Sequence, residues 1–183
     1  MSKELDLQGW FSEADAQWYK SIVSRIVGGR MIEVGCWKGL STHYIGKLCN
    51  MNHTDLWCVD KWEGTVGDSG EAVKEDVYNI FLSNMKILGI ELTAVKMPSL
   101  EASEEFEDEF FDFIFLDAAH DYDNVKRDLE VWLPKLKKRG VFGGHDFHLH
   151  KDYFGLRKAV LEFTSRNAFE LMLAPDSIWY FVK

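Results

Sequence analysis

Four residues late in the chain carry side chains that hold protons or cations: Asp117, His120, His145 and Asp146. Asp117 follows the largely apolar run Phe111–Leu116, and Asp146 follows Val141-Phe142-Gly143-Gly144-His145. Acids emerging from adjacent buried strands repel one another unless a proton or a cation sits between them. Oxygen ligands of this kind suit a Mg²⁺-type ion. The imidazole of His145 suits Zn²⁺, Mn²⁺ or Fe²⁺ better, so Asp117, His145 and Asp146 form a candidate metal set whose preferred ion is open. His120 is a candidate general base, with His145 the alternative, because imidazole takes a proton near neutral pH. Early in the chain lies Met31-Ile32-Glu33-Val34-Gly35-Cys36-Trp37-Lys38-Gly39-Leu40-Ser41. An apolar strand, a loop with two glycines and a helix start at Ser41 make a cradle for a nucleotide-like ligand. The spacing is neither G-x-G-x-x-G nor G-x-x-x-x-G-K-[ST]. Glu33 would repel a pyrophosphate and suits a ligand with a cationic end.

Alternating strands and helices must position these groups. Ser12 is a candidate N-cap for a helix over 12–27, with Trp18, Ile22, Val23, Ile26 and Val27 as its apolar stripe and Gly28-Gly29 as its stop. Strands are expected at 31–34, 56–59, 92–97, 111–116 and 141–144, and a closing pair at 169–173 and 178–182 around Pro175-Asp176. Helices are expected at 40–50, 72–88, 99–106, 122–138 and 154–166. The fourth of these ends in the basic run Lys135–Arg139, favourable at a helix C-terminus, with Gly140 as its stop. That run and the acidic run Glu101–Glu109 read as solvated helix ends. The order implies right-handed crossovers and an α/β fold of three layers. Its Rossmann-like sheet of seven strands is mostly parallel, with an antiparallel C-terminal strand. Ligands of such sheets bind at the carboxyl ends of the strands, and Glu33, Asp60, Ser99, Asp117, His145 and Asp146 all stand there.

The 183 residues fit one domain, with 1–29 as an N-terminal helical segment. A net charge of −9 argues against nucleic acid as the main partner. No run is apolar and long enough for a membrane span, and Met1–Asp6 lacks a signal-peptide core. Cys36, Cys49 and Cys58 lack metal-site spacing and read as free thiols of a cytoplasmic protein. Most of the seven tryptophans are expected in the core. Trp10 and Phe11 are candidates for a contact between two copies of the chain. His145, His148 and His150 do not present three imidazoles to one side, so a zinc site is not expected. Segments 61–70 and 147–154 are candidate lids over an acceptor.

Across roughly residues 30–165 the chain resembles the class I S-adenosylmethionine-dependent methyltransferases. The resemblance rests on Ile32-Glu33-Val34-Gly35 with Gly39 and Ser41, on Val59-Asp60-Lys61-Trp62, on Phe113–Tyr122 with Asp117-Ala118-Ala119-His120, and on Gly143-Gly144-His145-Asp146-Phe147. Within the class it is most similar to small-molecule and sugar O-methyltransferases with a late Gly-His-Asp motif. The resemblance implies that Glu33 faces the methionine amino end of the cofactor, with Gly35 and Gly39 leaving room and Ser41 near its carboxylate. It implies Asp60 at the ribose hydroxyls, Lys61 and Trp62 beside the nucleoside, Ser99 at the adenine and Asp117 at the cofactor's reactive end. It also implies His120 as base and a divalent metal at the acids, although relatives that bind metal often carry an acid where His145 stands. Two other readings fit a Rossmann-type chain: a nicotinamide-dependent oxidoreductase, which Glu33 and the glycine spacing disfavour, and a cofactor-binding protein without catalysis. Methylation of a nucleic-acid base is disfavoured, because Asp117-Ala118-Ala119-His120 replaces the Asn/Asp-Pro-Pro-Tyr tetrad.

Overall fold

A computed structural model describes residues 4–63, 76–148 and 153–183. The chain runs α1 (Glu13–Val23), β1 (Arg30–Val34), α2 (Leu40–Asn52), β2 (Asp55–Asp60), α3 (Val77–Leu88), β3 (Thr93–Lys96) and α4 (Ser99–Glu104). It continues through β4 (Phe111–Leu116), α5 (Tyr122–Trp132), β5 (Leu136–Gly144), α6 (Phe154–Arg166), β6 (Met172–Leu173) and β7 (Trp179–Val182). The seven strands form one sheet in the order β3-β2-β1-β4-β5-β7-β6. The first five are parallel, and β7 pairs antiparallel with both β5 and β6. The expected α/β architecture, including its antiparallel closing pair, is therefore present. Among the described residues no helix is long and apolar enough to cross a membrane.

The period of two along a strand divides the core into two layers. Met31, Cys58, Phe113 and Phe115 pack on one face against Tyr19 and Val23 of α1, Ile45 and Cys49 of α2, and Phe81 and Met85 of α3. Ile32, Val34, Ile114, Leu116 and Phe142 pack on the other against Leu129 and Trp132 of α5 and Val160 and Phe163 of α6. Trp62, Trp132 and Trp179 are buried, whereas Trp10 is exposed. Phe11 turns inward onto Tyr19, Phe115 and His145. All three cysteines are free and buried.

Several elements depart from the sequence reading: the strand expected at 169–173 is only Met172–Leu173, the helix expected at 99–106 ends at Glu104, and the two helices at 12 and 122 are shorter. The first helix ends at Val23 rather than near 27, because Arg25 N donates to Ile22 O and Ile26 N to Val23 O, which tightens the last turn. Its inward face is Asp15, Ala16, Tyr19 and Val23, with Trp18 at the rim, since two polar tips lie inside. The helix at 122 ends at Trp132, not 138. Pro134 has no N–H with which to continue it, and Lys183 Nζ takes up the Leu133 and Leu136 carbonyls. The basic run is thus no helix end; most of it lies in β5, where Gly140 is an interior residue. Lys135 pairs with Asp108 and Lys137 with Asp112, both at 2.8 Å. The helix at 77–88 is present, while its expected start at 72–75 lies outside the described residues, as do 64–70 and 149–152 of the two lid segments.

The ladder bonds continue past the strand ends and bring the functional loops into contact. Gly35 N donates to Val59 O at 2.8 Å, Asp117 N to Val34 O at 2.7 Å and His145 N to Leu116 O at 3.1 Å. Gly35 has φ 92°, and a Cβ there would stand 2.1 Å from the Asp117 carbonyl oxygen. Gly35→Ala is expected to cost at least about 2 kcal/mol, from left-handed strain plus displacement of backbone that cannot rotate away. Urea unfolding measures this; a loss under half that size would contradict the contact.

Candidate active site

The glycine loop is organised by an acid that sequence reasoning reserved for a ligand. Asp60 Oδ2 accepts the backbone N–H groups of Cys36 and Trp37, both at 2.9 Å, and Oδ1 accepts that of Trp62 at 2.7 Å. A carboxylate offers about four lone-pair directions, so three are spent on the loop and about one remains for an outside donor. Trp62 lies 4% exposed against Tyr78 and Phe81, and its Nε1 donates to Trp37 O. It therefore builds the floor of the loop and offers no open face for stacking. Lys61, half-buried, stands between these two residues. The loop is also tied from the N-terminal side. Lys38 Nζ pairs with Asp6 at 2.9 Å, and Asn84 donates to the Lys38 carbonyl and accepts from Asp6 N.

Gly39 has φ 90° and caps α2 without a side-chain hydrogen bond, so the first amides of that helix keep donor capacity for an anionic group. Glu33 is fully buried. Its Oε2 accepts from Thr42 Oγ1 at 2.6 Å and its carboxylate also bonds Ser41, so the Ser41 hydroxyl is held inward. Among the described residues Glu33 Oε1 has no hydrogen-bond partner. Burial pushes Glu33 up to about 7 against the pull of the Ser41 and Thr42 hydrogen bonds. Ser99 Oγ donates to Asp128 at 2.6 Å and accepts from Trp132 Nε1 at 2.9 Å. The proton of that hydroxyl and one of its lone pairs are thus used within the α4–α5 packing.

The second half of the site lies one strand further, across β4 and β5. His120 Nε2 is 2.8 Å from Asp146 Oδ2, and His148 Nε2 is 3.5 Å from Asp146 Oδ1. His145 Nδ1 lies 3.3 Å from Asp146 Oδ1 and 3.7 Å from Asp117 Oδ1. Asp117, His120 and Asp146 each bring a ligand atom within 4.8 Å of the other two. The compact donor set therefore contains His120 in the place expected for His145, whose Nε2 is turned toward Asp15 and Ser177. Burial and the Asp146 charge push Asp117 up to about 7, despite the two imidazoles. Burial alone would raise Asp146 and lower His145; instead the hydrogen bonds of His120 and His145 hold Asp146 well below the carboxylate range, and the Asp117 charge lifts His145 to about 10. Tyr153 brings its ring within 5.3 Å of His120 and 5.0 Å of His148. His150 lies outside the described residues.

Asp15, Thr42 and Ser177 were missed from sequence. Asp15 left one signal, the Ser12-x-x-Asp15 spacing of a capping box, and that box is formed. Ser177 left none, being one polar residue in a turn.

An open, mostly parallel sheet with a glycine loop after β1, an acid after β2 and paired acids after β4 and β5 defines the Rossmann-like methyltransferase class. Residues 32–147 match the sequence profile of the methyltransferase domain, and the chain belongs to that family. An S-adenosylmethionine-dependent O-methyltransferase from Thermotoga maritima shares the fold, with TM-score 0.70 and 15% identity over 96% of this chain and 67% of that one. A TDP-rhamnose 3′-O-methyltransferase of calicheamicin biosynthesis shares it with TM-score 0.61 and 14% identity over 91% and 76% of the two chains. So does a precorrin-8w decarboxylase from Methanobacterium thermoautotrophicum, with TM-score 0.67 and 13% identity over 97% and 92%. Such identities speak to fold alone. An uncharacterised protein of Sinorhizobium fredii is 28% identical over 103 residues, 56% of this chain, and the match spans 11% of that protein's length.

The burial of Glu33 has a measurable consequence. Its folded-state pKa near 7 exceeds the ordinary value of 4.5, so the unfolded chain ionises first as pH rises. Its contribution to stability therefore falls from about pH 4.5 to 7. Between pH 5 and 8 the stability of Glu33→Gln relative to wild type should rise by roughly 2–3 kcal/mol. Denaturant titrations of both proteins across that range measure it, and a difference that does not vary with pH would refute the assignment.

Proposed function

We propose that the protein is an S-adenosylmethionine-dependent methyltransferase acting on a hydroxyl oxygen of a small molecule or sugar. The observation that carries this reading is the contact of two unlike half-sites at Gly35 and Asp117: a glycine loop floored by acids, and a carboxylate–imidazole cluster one strand away. The cofactor's donors fit the first half. The unpartnered Glu33 Oε1 suits the cationic amino end, the α2 amides suit its carboxylate, and the remaining capacity of Asp60 suits one ribose hydroxyl. Gly35 and Gly39 keep Cβ atoms out of the cradle, Lys61 and Trp62 border it, and the Ser99 region closes the adenine side through main-chain groups.

Bound S-adenosylmethionine supplies a methyl group on a cationic sulfur, which is already a good leaving group. Positioning of the acceptor is then the protein's main task. His120 is the base of this proposal. Asp146 accepts the proton of its Nε2, which fixes the tautomer whose lone pair is at Nδ1. His145, 5% exposed and engaged at both nitrogens, is the weaker candidate for direct proton transfer. Two carboxylates and an imidazole also fit a divalent cation, and Asp117 and Asp146 with His120, or with His145 after ring rotation, would hold it. Such a cation would lower the pKa of the acceptor hydroxyl. His120 serves as ligand or as base, one at a time.

S-Adenosylhomocysteine should raise the melting temperature while NADH leaves it unchanged; the reverse pattern would favour an oxidoreductase. Asp60→Ala should weaken S-adenosylhomocysteine binding by roughly 5- to 150-fold by calorimetry, since about 1–3 kcal/mol of loop and ligand hydrogen bonding is lost. Unchanged affinity would remove Asp60 from the site.

A further inference from the structure

The His145 ring is gripped from two segments outside residues 32–147. Its Nε2 lies 3.2 Å from Asp15 Oδ2 on α1 and 2.7 Å from Ser177 Oγ in the turn between β6 and β7. Asp15 and Ser177 are each 2% exposed. Asp15 is itself fixed, because its carboxylate accepts Ser12 N at 3.1 Å and Ser177 N at 3.5 Å. The Phe11 ring covers the imidazole at 5.0 Å, and Trp179 Nε1 donates to the His145 carbonyl. At the opposite edge of the ring, Nδ1 faces Asp146 Oδ1, and Asp146 Oδ2 meets His120 Nε2 at 2.8 Å. A continuous chain of polar contacts thus runs from Asp15 through His145 and Asp146 to His120.

Ser177, His145 and Asp146 stand in the order of a nucleophile, its base and an orienting acid. Burial argues against that use: Ser177 is 2% exposed, and Asp15 occupies the same ring edge. What remains is restraint. An imidazole with polar partners at both nitrogens and an aromatic ring on its face loses hydrogen bonds if it rotates. Outer residues that lock the rotamer of an inner one set the precision of a site.

We propose that Asp15, with Ser177, is a positioning residue for His120: it locks the His145 ring, the ring locks the Asp146 carboxylate, and the carboxylate orients the half-exposed His120. The functional importance of this relay rests on the reading of His120 as base, whereas its physical existence does not. The test is therefore spectroscopic and needs no acceptor. Protein labelled with ¹⁵N-histidine gives ring-nitrogen correlations, assigned through single His→Gln variants. In Asp15→Ala the His145 and His120 ring signals should both move by several linewidths, while those of His53, on the far side of α2, stay in place. Calorimetric affinity for S-adenosylhomocysteine should stay within threefold of wild type. Movement at His145 with His120 unchanged would overturn the proposal, reducing Asp15 to a local cap. If Asp15→Ala fails to fold, Ser177→Ala removes one of the two holds on Nε2 and should move both rings by a smaller amount; an unchanged His120 there overturns the proposal equally. Loss of S-adenosylhomocysteine binding by the wild type would instead strike the methyltransferase reading and leave the relay standing.

Discussion

The two halves of the candidate site meet where the backbone of Gly35 lies against that of Asp117. β1 and β4 are neighbours at the sheet's centre, and their carboxyl ends are joined by the bond from Asp117 N to Val34 O. Only a residue without Cβ fits at 35. Everything chemical hangs on this contact, because it places the floor of the glycine loop directly beside the carboxylate that begins the second half-site. The strand order supplies the rest: β2 lies beyond β1 and brings Asp60 under the loop, while β5 lies beyond β4 and brings His145 and Asp146 beside Asp117.

Such convergence concentrates negative charge, and the structure manages it differently in the two halves. Under the glycine loop, Asp60 accepts three backbone amides, and burial lets the Glu33 carboxyl retain its proton to near neutrality. In the second half, three carboxylates surround one imidazole, with Asp15 on one edge and Asp117 and Asp146 on the other. Hydrogen bonds from His120 and His145, together with the charge of the two imidazoles, keep Asp146 ionised beside Asp117. Where many carboxylate sites depend on a bound ion for cohesion, this one carries part of its counter-charge in its own chain.

The fold was legible in sequence because its strands are apolar on both faces and its helices carry cap and stop signals. Ser12, Asp121 and Gly89 all mark helix ends where they stand. Basic residues favour a helix C-terminus only weakly, and the missing N–H of Pro134 outweighs them, so the helix at 122 ends at Trp132. Site residues at strand ends were legible for the same reason as the strands. Side-chain direction was not: Ser99 and Trp62 stand near the expected places but spend their polar atoms on Asp128, Trp132 and Trp37. Asp15 was hidden by the assumption that an amphipathic helix turns its apolar stripe inward, whereas this one turns in an acid and a phenol.

That inward-facing acid bears on how a shared fold acquires its own chemistry. The fold is shared with a precorrin-8w decarboxylase, so it does not by itself fix a reaction. In this chain the groups surrounding the His145 imidazole come from α1, from the loops after β4 and β5, and from the turn before β7. Only the middle pair lies within the matched residues 32–147. Asp15 and Ser177 reach the centre because α1 packs over Phe113 and Phe115, and because β7 runs antiparallel beside β5, which returns residue 177 to the same edge as His145. The antiparallel closing pair therefore does more than seal the sheet. It delivers residue 177 to the carboxyl end of β5, and the same geometry lets the N-terminal helix and the C-terminal turn meet on a single imidazole.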